Sequence, residues 1–414
     1  MKWNAHSNLR INVDRLAARI EQLAQVGTTR LAFSDADRRG RTAVMAMMRE
    51  AGLNVTIDPA GNILGRRAGQ IEAPVILFGS HIDTVPHGGR YDGVLGCLAS
   101  IECLHTLQEA DVSTKHPLEV VVFANEEGQL FPGLSGSRAM VGELDPSELL
   151  LRDASGRTLS QAIESIGGRP DRIEEAARRR GDILAYVELH VEQGGVLESL
   201  GAPIGVVQGI VGILYSHVHV LGDTNHSGTT PMALRRDALV AAARFILAVD
   251  EAIRRHQFCT VGTIGRLDVL PNARNVIPGE VSMTLELRDL EEERILRTFE
   301  YLRQRAAEIA TSSRVQLELV ERERFKPAQA DRAVMQAIEA AATLLDLSTH
   351  TMPSGAGHDA QMLARIAPMG MIFVPSAGGI SHTDREFTSI EDCANGANVL
   401  LHTILNIDSW RMRS

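Results

Sequence analysis

Two textures of apolar and polar positions alternate along this chain. Behind Asn12, a good helix N-cap, Leu16, Ile20 and Leu23 recur at i, i+4 and i+7 and predict an amphipathic helix over 12–25. A second helix is expected over roughly 36–51, stopped by Gly52, with short strands near 54–57 and 63–66 joined by the turn DPAGN. The runs PVILFGS, LEVVVFA (118–124) and AYVELHV (185–191) are continuously apolar, and a helix with an almost wholly apolar face spans 93–110. Strands of that kind are buried on both faces, and their alternation with helices predicts an α/β sheet that is largely parallel.

Near residue 210 the texture changes. GILYSHVHVLGD alternates like a half-exposed strand, and 235–255 reads as a long helix. CTVGTIGRLDV and GEVSMTLELRDL read as strands, 291–310 as a helix and SRVQLELVERE as a strand. The order β-α-β-β-α-β is the ferredoxin-like α+β arrangement. From about residue 328 the first texture resumes, with helices over 331–345 and 390–405 and a strand over 369–374. The pattern therefore predicts a discontinuous α/β domain, residues 1–209 and 328–414, interrupted by an inserted domain over 210–327.

Composition narrows the class. A net charge of −10 argues against a nucleic-acid surface, which needs a basic face. The cysteines at 97, 103, 259 and 393 form no CxxC pair and suit buried thiols in a reducing compartment. The stretch MKWNAHSNLRINVDR lacks the apolar core of a signal peptide, and no run of 18 apolar residues occurs. These features lead to the expectation of a soluble, cytoplasmic protein without a membrane partner. No GxGxxG follows the first strand, which excludes a Rossmann dehydrogenase.

In open α/β sheets, ligands bind beyond the carboxyl ends of the strands. His81 and Asp83 follow PVILFGS, with Asp92 a loop later. Glu126 and Glu127 follow LEVVVFA, His190 and Glu192 close AYVELHV, and His382 lies past MGMIFV. A lone histidine is usually structural or solvated, and His6, His105, His116, His217, His219, His256, His350 and His402 receive no role; His87 reads as a loop residue. What differs at this edge is the coincidence of four strand ends. Carboxylates gathered there would repel unless cations compensated them. Imidazole and carboxylate without thiolate suits Zn²⁺, Mn²⁺ or Co²⁺. Five plausible ligands suffice for two ions if one carboxylate bridges.

The order HxD, an Asp eleven residues beyond that His, EE, ELHVEQG and a late GISH resembles the dinuclear metallopeptidase-like amidohydrolases. Within them it is similar to the branch of N-carbamoyl-L-amino-acid hydrolases, β-ureidopropionases and allantoate amidohydrolases. The likeness runs nearly end to end and includes NHSGTTPMALRRDA (225–238), PNARNVIPG (271–279), LELRD (285–289) and SGAGHDAQ (354–361). The resemblance implies a metallopeptidase-like catalytic α/β domain with a lid and dimerisation domain inserted, and two divalent ions per chain. It implies Asp92 as the bridge, His81 and His190 on one ion, and Glu127 and His382 on the other. Asp83 would orient His81 through its second ring nitrogen, and Glu126 would be the general base. Adjacent strand residues point to opposite faces, which favours separate jobs for the two glutamates.

For the inserted domain, the resemblance implies that His226 stabilises the oxyanion and that Arg288 clamps a substrate carboxylate, with Asn275 beside it. Gln193 and the backbone around Gly357 are further substrate contacts, and His358 reads equally well as a helix-start residue. After the glutamate pair the branch usually carries a small polar residue and an arginine before phenylalanine; here the sequence is Gln129-Leu130-Phe131. The expected activity is hydrolysis of the carbamoyl C–N bond of an N-carbamoyl-L-amino acid. Allantoate, N-carbamoyl-β-alanine or a dipeptide are the rival substrates, and a catalytically dead metal-binding scaffold is the rival class. A homodimer through the inserted domain is expected.

Overall fold

Asn12 accepts the main-chain N–H of Arg15 and so caps helix α1 (Val13–Ala24), while Ser34 caps α2 (Asp35–Glu50) through the N–H of Asp37. Strands β1 (Asn54–Ile57), β2 (Ile63–Arg67) and β3 (Val75–His81) follow, then helix α3 (Val94–Glu109), strand β4 (Leu118–Phe123) and the short helices α4 (Ser135–Met140) and α5 (Leu159–Ser165). Strand β5 (Ile183–Val191), helix α6 (Val196–Leu200) and strand β6 (Ile204–Ile210) complete this part. The computed structural model describes residues 6–410. They fall into two compact units: the chain up to Gly209 with everything from Gln329 onward, and Ile210–Ala328.

The second unit contains β7 (Gly212–Leu221), β8 (Asn225–His226), α7 (Ala238–Asp250), β9 (Val261–Leu270), β10 (Val276–Ile277), β11 (Glu280–Asp289), α8 (Glu292–Ser313) and β12 (Gln316–Phe325). Its four-stranded sheet runs β12-β7-β11-β9, antiparallel throughout. Phe245 on α7 and Leu302 on α8 are fully buried in one core with Leu214, Val218 and Leu285 of the sheet. Asp237 caps α7 by accepting the N–H groups of Leu239 and Val240, so the helix starts three residues later than its apolar pattern suggests and ends in a π-turn over 251–255.

The chain returns through β13 (Ala328–Gln329), α9 (Arg332–Leu344), β14 (Thr349–Ser354), α10 (Asp359–Leu363), β15 (Met369–Val374) and α11 (Ile390–Asp408). The large sheet of the first unit has the order β1-β2-β4-β3-β5-β15-β6-β13, with β14 paired to β6. Its centre, β4-β3-β5-β15, is parallel, while β1 joins β2, β2 joins β4 and β6 joins β15 antiparallel. The sheet is therefore mixed, which corrects the expectation of a largely parallel one. The central strands β3, β4 and β15 are buried at every residue, and α3, itself almost wholly buried, packs against β3, β5 and β4. Midway along α3, the fully buried Glu102 is held by Arg15 and Arg19 of α1 at 2.7 and 2.8 Å.

Candidate active site

The four parallel strands are consecutive neighbours, and each ends at the same edge with one of the singled-out side chains. His81 is the last residue of β3, and His190 is next to last in β5. Glu126 and Glu127 lie just past β4, and His382 lies in the loop past β15. Asp92 stands just before α3, separated from it by Gly93, whose φ is +64°. A Cβ at Gly93 would lie 2.5 Å from the His81 ring, so the turn and the close approach both require glycine there.

Asp92, which is buried, is the centre of the cluster. Its Oδ1 lies 3.5 Å from His81 Nε2 and 3.2 Å from His190 Nε2. Its Oδ2 lies 3.1 Å from His382 Nε2, which is itself 3.9 Å from Glu127 Oε1. One oxygen thus serves the two strand histidines and the other serves the loop pair. His81 Nδ1 donates to the carbonyl of Asp83 at 3.0 Å, and His190 Nδ1 to that of Val191 at 2.8 Å. A carbonyl only accepts, so both rings carry hydrogen on Nδ1 and turn Nε2 toward Asp92, with a lone pair there when the ring is neutral. In the neutral ring, His190 Nε2 is also within reach of Gly93 N–H, at 3.1 Å.

Lone pairs aimed at a carboxylate call for a positive charge between them. Burial pulls the His190 imidazole down, but its hydrogen bond and charge attraction to Asp92 outweigh this and carry it to about 9. Asp92 likewise holds His382 at about 9. Burial, then the charge of Asp92, raises the Glu127 carboxyl to about 8, and burial with Glu127 beside it pushes Glu126 well above its usual range. Burial opposes ionisation of Asp92, yet His190 and His382 together keep it well below the ordinary carboxylate range. Residues His81, Asp92 and His190, and Asp92, Glu127 and His382, form two groups whose ligand atoms are close enough to hold a metal ion, sharing Asp92. The donors are nitrogen and oxygen alone, which fits divalent Zn²⁺, Mn²⁺ or Co²⁺. The nearby Cys97 thiol is engaged with the carbonyl of His81 and raised by burial.

Two details of the sequence reading change. The carboxylate of Asp83 does not take the second ring nitrogen of His81: that nitrogen meets the main-chain carbonyl, while Asp83 Oδ1 stands 3.8 Å away. Instead, the carboxylate accepts the main-chain N–H groups of Glu126 at 3.3 Å and Glu127 at 3.1 Å. Nor do the two glutamates diverge by strand alternation. Strand β4 ends at Phe123 and Asn125 has φ +57°, so alternation no longer applies. Both reach the cluster: His81, Glu126 and Glu127 form a further group, with Glu126 Oε2 3.7 Å from His81 Nε2.

Gln193 donates through Nε2 to Asp92 Oδ2 at 2.7 Å and lies 3.3 Å from His382 Nε2. Glu192 is not part of the cluster; it accepts the N–H groups of Val196 and Leu197 and caps α6. Gly357 precedes α10, and His358 is that helix's N-cap residue. Its ring also packs 4.5 Å from that of His190, and its Nε2 lies 2.8 Å from Ser354 Oγ. In the second unit, His226 and Val276 are paired across the β8-β10 ribbon, and the carbonyl of Asn275 accepts the N–H of Ser227. The N–H groups of Gly228 and Thr229 donate to His226 Nδ1, so its ring carries hydrogen on Nε2. Arg288, half-buried on β11, donates to Glu286 at 2.6 Å.

Three residues went unremarked in the sequence. Glu188, fully buried on β5, accepts from Ser80, Tyr186 and the N–H of Ala360, so its oxygens are committed to protein donors although it lies with His190 and His358. Glu386 and Ser381 flank His382 in SHTDRE and bond to the Asp92 loop. The only sequence signal for either was proximity to His382.

The sequence matches peptidase family M20/M25/M40 over residues 77–406. An N-carbamoyl-L-amino acid amidohydrolase of Geobacillus stearothermophilus is 45% identical over 402 residues, covering 95% of this chain and 98% of that protein. An allantoate amidohydrolase of Bacillus subtilis is 36% identical, covering 92% and 94%. The crystal structure of an amidase of the hydantoinase/carbamoylase family from Burkholderia multivorans superposes with a TM-score of 0.91 at 34% identity, covering 98% of this chain and all of that one. The chain belongs to peptidase family M20/M25/M40. Within it, the chain is a hydrolase acting on C–N bonds other than peptide bonds, in the branch of the carbamoyl-amino-acid and allantoate amidohydrolases. Among the described residues, no helix is long and apolar enough to cross a membrane.

Proposed function

We propose that the protein hydrolyses the carbamoyl C–N bond of N-carbamoyl-L-amino acids, releasing amino acid, carbon dioxide and ammonia. The observation that carries the chemistry is Asp92, whose oxygens face His81 and His190 on one side and His382 on the other. That division supports two ion sites, His81–His190–Asp92 and Asp92–Glu127–His382. The 45% identity to a carbamoyl-amino-acid amidohydrolase over nearly the whole of both chains supports the substrate class.

When bound, two divalent cations supply Lewis acidity that acidifies a water and polarises the scissile carbonyl. The protein's part in the reaction is proton management. Glu126, held beside His81, takes the proton of the attacking water and returns it to the departing nitrogen. Without cations, burial and the neighbouring Glu127 raise its carboxyl well above the ordinary range; beside a cation it would favour the ionised form that a base needs. Gln193, already bonded to Asp92, and the backbone at Gly357 meet the substrate from the first unit. We assign His226, Asn275 and Arg288 to the substrate from the second: the His226 tautomer leaves an Nε2–H to donate to an oxyanion, and a guanidinium suits a carboxylate. We also propose that the second unit joins two chains into a homodimer.

Ammonia release measured over N-carbamoyl-L-amino acids, N-carbamoyl-β-alanine, allantoate and dipeptides tests the reading. The highest kcat/KM is expected on an N-carbamoyl-L-amino acid. A preference for allantoate would move the substrate to that of the Bacillus subtilis relative and leave the site's chemistry in place.

A further inference from the structure

We propose that Glu386 is a positioning residue that fixes Asp92 and His382 relative to each other, and so builds the Asp92–Glu127–His382 ion site. The inference rests on the two-ion reading above.

Glu386 is buried, with 4% of its surface exposed. Its Oε1 accepts three consecutive main-chain N–H groups, those of Arg90 at 3.1 Å, Tyr91 at 2.7 Å and Asp92 at 3.1 Å. Its Oε2 accepts from Ser381 Oγ at 2.9 Å, and that hydroxyl also lies 3.2 Å from Asp92 Oδ2. One carboxylate thus sets the backbone that presents Asp92 and the residue next to His382. Gly89 makes the approach possible: its φ is +89°, and a Cβ there would lie 2.6 Å from Glu386 Oε1. Two further contacts join the same loops, the perpendicular rings of Tyr91 and Phe387 at 6.1 Å and the 3.1 Å pair of His87 with Asp384.

The two ion sites differ in how much they need such a clasp. His81 and His190 belong to central, fully buried strands and have their ring orientations fixed by main-chain carbonyls. His382 lies on a loop, at φ +57°, with 48% of its side chain exposed. Nothing regular in the backbone aims it. Removing partners that orient a ligand typically costs about 10–100-fold in metal affinity. The loss of Glu386 should therefore fall on the loop-side ion and spare the strand-side ion.

The test is stepwise Zn²⁺ binding to the chelator-treated full chain by calorimetry, with Co²⁺ absorption as a second, activity-independent readout. Wild type should bind two ions. In Glu386→Ala the weaker ion should lose at least about tenfold in affinity while the tighter one changes little, and one component of the Co²⁺ spectrum should fade. Glu386→Gln keeps an acceptor for the three N–H groups and should recover part of the loss. If Glu386→Ala does not fold, Glu386→Gln decides, by a selective weakening of the same ion or by none. A wild type that binds two ions, with variants that weaken neither or both alike, overturns the assignment of Glu386. A wild type that binds one ion removes the two-ion reading, and the inference falls with it.

Discussion

The carboxylate of Asp83 accepts the main-chain N–H of Glu127 at 3.1 Å, and that of Glu126 at 3.3 Å, rather than the ring of His81. The residue two places beyond a strand histidine therefore shapes the turn of the neighbouring strand. Asp83→Ala leaves both N–H groups without their acceptor and keeps the carbonyl that orients His81. Activity should fall by about tenfold or more, while the tighter ion remains bound. Metal analysis alongside kcat checks this; a variant that loses all metal would return Asp83 to the role of aiming His81.

Glu126→Gln should retain metal and lower kcat by roughly 10²–10⁴, the usual worth of a general base. Asp92→Ala should lose metal instead. Purified variants compared by elemental analysis and steady-state rates separate the two. Near-normal turnover in Glu126→Gln would rule Glu126 out as the base.

Much of this layout can be read from the chain, and the exceptions have physical causes. PVILFGSH and AYVELHV announce themselves because a strand buried on both faces must be apolar until it leaves the sheet, so His81 and His190 stand out at its end. Strand β14, THTMPS, pairs with β6, and its polar composition reads as a loop. The Asp83 contact was missed because it runs to main-chain N–H groups, which have no sequence signature. Glu386 was missed for the same reason, its acceptor role being spent on three backbone groups some 295 positions away.

Metal uptake should release protons. In the metal-free site Glu127 is held to about 8, and His190 and His382 to about 9, so all three are protonated at neutral pH. Binding at pH 7 should displace them, fewer as pH passes 8 and fewer still as it passes 9, and apparent affinity should rise over the same window. All three groups bind protons more tightly folded than unfolded. Their stabilisation of the metal-free protein is thus complete at low pH and is lost as pH rises through 8 and 9. Between pH 6 and 9 the Tm of chelator-treated protein should fall relative to that of metal-loaded protein. A rising metal-free Tm over that range would contradict these protonation states.

If the dimer forms and His226 serves the partner's site, Glu126→Gln and His226→Ala chains should complement. A heterodimer would hold one doubly damaged and one intact site. Random pairing makes about half of all dimers mixed, so recovery should approach roughly a quarter of wild-type activity. Co-expression with two tags isolates the mixed species. Heterodimers no more active than the mean of their parents would confine His226 to its own chain or to no catalytic role.

Strand β15 lies between β5 and β6, although the second unit separates it from both along the chain. During synthesis, the ribosome delivers His81, Asp92, Glu127 and His190 long before the strand that closes the gap beside β5 and the histidine that follows it. Until residue 374 has emerged, β5 offers an open, apolar edge of the kind that recruits foreign strands. The nascent enzyme therefore passes through a stage in which four of its five ligands are present and its sheet is unfinished. That interval, rather than the finished protein, is where a chaperone would be needed and where the wrong metal would have its opportunity.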